Sequence, residues 1–266
     1  MGSPMQNLYL PRDYQKEVRG REKQRPDLTP IEYTISEDTT IFAPDRKSIV
    51  AKFLFRSMSP MHCIAAFEDW YPAVNQLPIN RPKPAGFTSV SRKIRKPVLD
   101  ALKKRAGRYD MLGFAAGTDT ETCRKTALTK AHPELLESHR ELIEHADKLY
   151  AKHMPHLYAF QRAVIDKVPS CRLWQTAFST IYLGKNFATR PHTDTGNLRG
   201  AMSVLLPLGE FTGGALILPR YRIAIAYRMG DALLLNPQEV HGNALFEGSR
   251  LCAVLYCGGW AVEAGY

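Results

Sequence analysis

Apolar residues follow two different rhythms along the chain. Between 97 and 167 the period is helical: Leu135, Leu136, Leu142, Ile143, Ala146, Leu149 and Tyr150 fall on one face. Pro133 opens this helix, and Pro155 divides it from a further helix running to about Val168. Pro97 suits the first turn of an earlier helix through Leu102 and Lys104 that ends near Gly107. From 171 onward the rhythm changes. Arg172 to Leu183, Ala201 to Pro207, Ala215 to Leu218, Ile223 to Tyr227, Ala232 to Asn236 and Leu251 to Cys257 read as strands between Gly or Pro turns. Short strands at this spacing predict a β-sandwich or barrel. Ahead of the helices, 39–43 and 49–54 read as strands, and the Pro-punctuated stretch 71–97 as mostly loop.

The chain has 266 residues, 44% hydrophobic and 23% charged, which excludes a disordered composition and is ample to bury a core. No apolar run approaches the ~18 residues needed to span a membrane. The first residues, Met1-Gly2-Ser3-Pro4, lack the apolar stretch of a secretory signal. The five cysteines are scattered and odd in number, with no CxxC pair, so no disulfide framework is expected and an intracellular, reducing setting is. Charge changes the picture more. Lys and Arg outnumber Asp and Glu by 36 to 26, a formal charge of +10, which points to a polyanionic partner, nucleic acid first. The surplus gathers in a basic arm over 1–35 and in a cluster of Arg92, Lys93, Arg95, Lys96, Lys103, Lys104 and Arg105. Such a cluster either tracks a phosphate backbone or is a solvated helix face.

The chemistry concentrates in Arg190-Pro191-His192-Thr193-Asp194. On a strand, His-x-Asp puts an imidazole and a carboxylate on one face. Downstream come Gly230-Asp231, then Val240-His241-Gly242-Asn243, then Arg250 entering an apolar strand. Two His and one carboxylate form the facial triad of non-haem Fe(II) oxygenases, which leaves coordination positions open. An Arg on an adjacent strand offers the fork that suits the distal carboxylate of 2-oxoglutarate. The remaining histidines (His62, His132, His139, His145, His153 and His156) lack this pattern and read as packing or hydrogen-bonding residues.

From about Trp174 to Trp260, roughly a third of the chain, the sequence resembles the Fe(II)/2-oxoglutarate dioxygenases, and within them the TET/JBP group. The resemblance is carried by Phe178-Ser179-Thr180, by His192 through Asn197, and by the run Gly213-Gly214-Ala215-Leu216-Ile217-Leu218-Pro219. It continues in Gly230-Asp231, His241-Gly242-Asn243 and Arg250. That group oxidises the 5-methyl of pyrimidines in nucleic acid. The resemblance implies an α+β fold with a double-stranded β-helix (jelly-roll) core, helices at about 97–168 buttressing one face, and a single dioxygenase domain over 36–266.

It also implies Fe(II), 2-oxoglutarate and O2 as the reacting set, with His192, Asp194 and His241 on the metal and Arg250 on the co-substrate. Many members carry Ser two places after the Arg; here Cys252 stands there. A thiol is a poorer hydrogen-bond partner, so Tyr182 or another group is expected to compensate. The substrate expected is 5-methylcytosine or thymine in nucleic acid, DNA before RNA, with no membrane and no obligate protein partner. The same iron chemistry on a protein side chain, a small molecule or an N-methylated base is the alternative. Asn197 is either a reader of the base edge or a turn residue after Gly196, and Phe187, Tyr182 and Trp260 are candidates to stack on the base.

Overall fold

The strands at the centre of the fold are apolar on both faces, and this is what builds two layers around them. The computed structural model describes residues 5–10, 31–74, 108–118 and 122–263. In chain order the first elements are β1 (Gln6–Tyr9), β2 (Tyr33–Ile35), β3 (Thr39–Phe42), β4 (Ile49–Leu54) and helix α1 (Pro60–Ala73). Next come β5 (Arg108–Ala116), β6 (Cys123–Lys125), α2 (Ala127–Ala131), α3 (Glu134–Glu137), α4 (Arg140–His153) and α5 (Pro155–Ile165). The β-rich half follows: β7 (Thr180–Lys185), β8 (Ser203–Leu208), β9 (Phe211–Gly213), β10 (Leu216–Leu218), β11 (Ile223–Ile225) and β12 (Ala232–Leu235). It ends with β13 (Gly242–Asn243), β14 (Phe246–Gly248), β15 (Leu251–Tyr256) and a last turn of helix, α6 (Trp260–Glu263).

Among the described residues these strands make a nine-stranded sheet in the order β1-β3-β4-β12-β8-β15-β7-β5-β6, a four-stranded sheet β13-β10-β11-β2, and the pair β14-β9. Alternation along single strands shows the layering. In β12, Ala232 and Leu234 pack on the helical side, while Leu233 and Leu235 face the second sheet. In β15, Leu251, Ala253 and Leu255 are fully buried against the helices, while Cys252 and Val254 turn the other way. Strands covered on both faces lose the polar-apolar alternation and read as continuous apolar runs. Helices α1 and α4 cover the outer face through Cys63, Ala66 and Trp70 and through Leu142, Ile143, Ala146 and Tyr150. The expected double-stranded β-helix core with helices on one face is what the chain forms.

Several local expectations need correction. The helical stretch expected over 97–167 is interrupted by β5, whose Arg108–Gly113 pairs antiparallel with β7. Here an available sheet edge outweighs local propensity. The helix expected from Pro97 to Gly107 lies outside the described residues. The strand expected from Arg172 starts only at Thr180, because 169–179 form a short 3-10 turn and loop stitched by hydrogen bonds such as Leu173 N to Phe178 O. Helix α1 was not anticipated from the sequence, although Ser59 caps it and Pro60 sits in its first turn. Parts of the segment expected as a basic arm are strands: β1 pairs parallel with β3, and β2 with β11. No disulfide framework was expected, yet Cys123 and Cys171 form one disulfide; Cys63, Cys252 and Cys257 are free.

Candidate active site

Two chain segments that run side by side carry the histidines. His192 and His241 face each other as an isolated antiparallel bridge, each donating its backbone N–H to the other's carbonyl at 2.9 Å. The sequence places Gly242 beside His241 for a steric reason. A Cβ there would lie 3.0 Å from the Thr189 carbonyl oxygen and 3.1 Å from Arg190 and Pro191 backbone atoms. Asp194 is anchored by its N–H to the Pro237 carbonyl at 2.8 Å. The His-x-Asp segment therefore lies in a loop rather than on the strand expected for it, and the loop's own hydrogen bonds bring the carboxylate round to the imidazoles.

One ligand atom from each of His192, Asp194 and His241 lies within 4.8 Å of the others. His192 Nε2 is 3.3 Å from Asp194 Oδ1, and His241 Nε2 is 3.7 Å from Oδ2. The two Nδ1 atoms are held the same way, each 2.8 Å from the carbonyl two residues upstream, Arg190 and Glu239. A carbonyl only accepts, so each Nδ1 carries the hydrogen, which leaves Nε2 as the ring atom that faces Asp194 and can take a metal. Burial pushes the Asp194 carboxyl up, but the hydrogen bond from His192 and the charges of both imidazoles outweigh it and hold it below the usual range. Burial pushes His241 below the ordinary imidazole value, keeping it neutral. Burial pushes His192 down as well, but the Asp194 carboxylate beside it outweighs this and raises it. Two Nε2 atoms and one carboxylate with open positions around them fit Fe(II), which would replace any proton on Nε2.

The triad opens into a cavity of about 280 Å³ between the two sheets. Tyr109, Tyr182 and Tyr256 form an aromatic wall, with Tyr109 and Tyr182 stacked at 5.5 Å. Phe187, Asn197, Asn243 and Cys252 also line it. Asn197 is a turn residue that also borders the cavity. Its backbone N–H closes a turn onto Asp194, and its side-chain amide donates to Ser203 Oγ at 2.9 Å while bordering the cavity. Trp260 is not among the lining residues and packs instead with Ile165, Leu198 and Ala261. Tyr109, Tyr256 and Tyr227 were not singled out from the sequence; Tyr109 lay in a stretch read as helical.

Arg250 is 1% exposed. Its guanidinium lies 5.3–5.5 Å from the ring centres of Phe211, Phe246 and Tyr227, donates to the Tyr227 hydroxyl at 2.6 Å, and leaves its Nε–H without a partner. A buried cation with an unmet donor calls for an anion, and a carboxylate suits the fork. The Cys252 thiol, pushed up by burial, lines the cavity and lies 4.0 Å from the Tyr227 hydroxyl that Arg250 binds. The basic residues Arg92, Lys93, Arg95, Lys96, Lys103, Lys104 and Arg105 lie outside the described residues. Of the other histidines, His139 pairs with Asp69 at 2.9 Å, His145 with the Ser57 carbonyl at 2.8 Å, His132 with Glu134 at 3.0 Å and His62 with Glu141 at 3.3 Å. Among the described residues no helix is long and apolar enough to cross a membrane.

Residues 106–258 match a family model, Tet_JBP, described as the oxygenase domain of the 2OGFeDO superfamily. The chain is 30% identical over 233 residues to the bifunctional helicase and thymine dioxygenase JBP2 of Trypanosoma brucei brucei, covering 84% of this chain and 20% of that protein. It is 31% identical over 156 residues to JBP2 of Leishmania major (58% and 14%), and 30% identical over 149 residues to the thymine dioxygenase JBP1 of Trypanosoma brucei brucei (53% and 18%). The chain thus spans no more than a fifth of the length of these relatives. Among solved structures, NgTET1 in complex with 5mC DNA is similar in fold, with a TM-score of 0.52 at 13% identity over 93% of this chain and 92% of that one.

Proposed function

Because the chain belongs to the Tet_JBP family of 2OGFeDO oxygenase domains, we propose that it is an Fe(II)/2-oxoglutarate-dependent oxygenase. On this reading it hydroxylates the 5-methyl group of a pyrimidine in DNA, thymine first and 5-methylcytosine second. The observation that carries the reading is the pair of imidazoles whose Nδ1 atoms are tied to carbonyls, so that both Nε2 atoms converge with the Asp194 carboxylate on one point. The preference for thymine rests on relatives that are thymine dioxygenases. When bound, iron with 2-oxoglutarate and O2 supplies the means to hydroxylate an unactivated C–H bond, with succinate and CO2 formed alongside.

The chain's own task is to hold and position. His192, Asp194 and His241 grip the metal, and Arg250 pairs with the far carboxylate of the co-substrate. The methyl of a stacked base cannot reach a metal between two sheets, so the base leaves the stack or arrives single-stranded. A cavity of about 280 Å³ lies just under the range of ~300–1,000 Å³ for small-molecule sites and is far too small to admit a duplex. Tyr109, Tyr182, Tyr256 and Phe187 offer it faces to stack on, and Asn197 an amide for its edge. The cluster at 92–105 would hold the phosphate backbone.

The test is to incubate the protein with Fe(II), 2-oxoglutarate and DNA containing thymine, 5-methylcytosine or N6-methyladenine, then to analyse the nucleosides by mass spectrometry. A 5-hydroxymethyl pyrimidine is the expected product. No oxidised base from any of them, together with iron-dependent succinate formation on a peptide, would overturn the reading.

A further inference from the structure

The Tyr227 hydroxyl stands at the point where the co-substrate clamp lacks the usual side chain. It accepts from Arg250 at 2.6 Å and from Asn243 Nδ2 at 3.2 Å. A phenol has two lone pairs and one proton, so both acceptor positions are filled and the proton must go elsewhere. Its recorded neighbour for that proton is Cys252 Sγ at 4.0 Å, a weak acceptor at long range. Arg250, which shares this hydrogen bond, has its own unmet Nε–H. Asn243 and Cys252, the two neighbours of this hydroxyl, both line the cavity, so it lies one side chain behind the cavity wall. Thr189, also on the cavity, donates to Asn243 Oδ1 at 3.0 Å, which turns the Asn243 amide nitrogen toward Tyr227. Two buried donors with nowhere good to donate, set on one hydrogen bond, describe a place built for an anion.

We propose that Tyr227 is the second anchor of the 2-oxoglutarate distal carboxylate, its phenol O–H donating beside the Arg250 guanidinium and doing the work of the hydroxyl that Cys252 cannot supply. This inference rests on the oxygenase reading above and adds a residue to it. Burial pushes the phenol well above its ordinary value, so it remains a donor at any working pH. The ring has a separate role as one wall of the aromatic cage around Arg250. Tyr227→Phe keeps that wall and removes only the hydroxyl, which makes it the informative change.

The experiment measures equilibrium binding of 2-oxoglutarate and of 2-oxobutyrate, which has the same oxo acid end but no distal carboxylate, to the Fe(II)-loaded full chain without O2. The readout is the visible charge-transfer band formed when an oxo acid chelates the iron. For Tyr227→Phe the expected result is about tenfold or greater weakening of 2-oxoglutarate, the usual consequence of losing a hydrogen bond to a charged group. Binding of 2-oxobutyrate should not change. Adding Cys252→Ser to Tyr227→Phe should recover most of the lost affinity, and thermal melts of the variants without ligand should match the wild type. Unchanged 2-oxoglutarate binding in Tyr227→Phe would overturn the proposal, as would equal weakening of both oxo acids. Wild-type protein that gives the band with neither acid would instead overturn the oxygenase reading itself, and the proposal with it.

Discussion

At the scale of single residues, the site depends on where hydrogens sit. His192 and His241 are ready to bind metal because their Nδ1 hydrogens are committed to the Arg190 and Glu239 carbonyls. Replacing His192 or Asp194 by Ala should therefore abolish iron binding and turnover while the chain still folds, as checked by iron titration beside circular dichroism. A variant that retained turnover would sink the metal assignment. Asn197→Ala is expected to raise KM for DNA by roughly tenfold, from loss of one side-chain contact. Because the same amide also donates to Ser203, the 2-oxoglutarate KM serves as the control and should stay put. That His192, Asp194 and His241 come together was legible in the sequence, because His-x-Asp, a distant His and a following Arg form a pattern few other purposes require. Tyr227 was not legible. It is one tyrosine among twelve, and only the fold places its hydroxyl against Arg250.

At the scale of elements, the two histidine-bearing segments must run almost in contact, and Gly242 is what permits it. Gly242→Ala would press a methyl against the Thr189–Pro191 backbone at about 3 Å and part the segments. Because this displaces ligands without removing any, iron affinity should fall ~10–100-fold, as it does when groups that orient ligands are lost. A titration showing wild-type affinity would mean that the segments can relax. The disulfide offers a second test. It ties β6 to the 3-10 turn before β7 across 48 residues, and closing a loop of that length stabilises by about 4 kcal/mol in the chain-entropy estimate. Urea unfolding in reductant, or of Cys123→Ser, should show most of that loss. The pairing could not be read from the sequence, because spacing alone does not say which of five scattered cysteines meet. Nor could β5. Its residues form a strand because the edge of β7 is there to receive them, whereas the apolar runs of β8, β12 and β15 announce themselves by being buried on both faces.

At the scale of the whole molecule, the +10 charge and the metal site belong to one function only if the cations guide DNA to the cavity. The triad needs none of that charge, since its own residues balance locally around Asp194. The basic cluster Arg92–Arg105 precedes β5, whose Tyr109 lines the cavity, so a phosphate held there would be close along the chain to the aromatic wall. Affinity for DNA should then fall steeply with salt, since each phosphate neutralised contributes a slope of ~0.9 in log K against log salt. The triple change Lys103→Ala, Lys104→Ala and Arg105→Ala should lower that slope by up to ~3 if all three contact phosphate. It should leave 2-oxoglutarate binding untouched, because the residue proposed to hold the co-substrate, Arg250, is unchanged. Fluorescence anisotropy on one labelled oligonucleotide at a series of salt concentrations measures both slopes. If the slopes coincide, the cluster is a solvated face and takes no part in holding DNA.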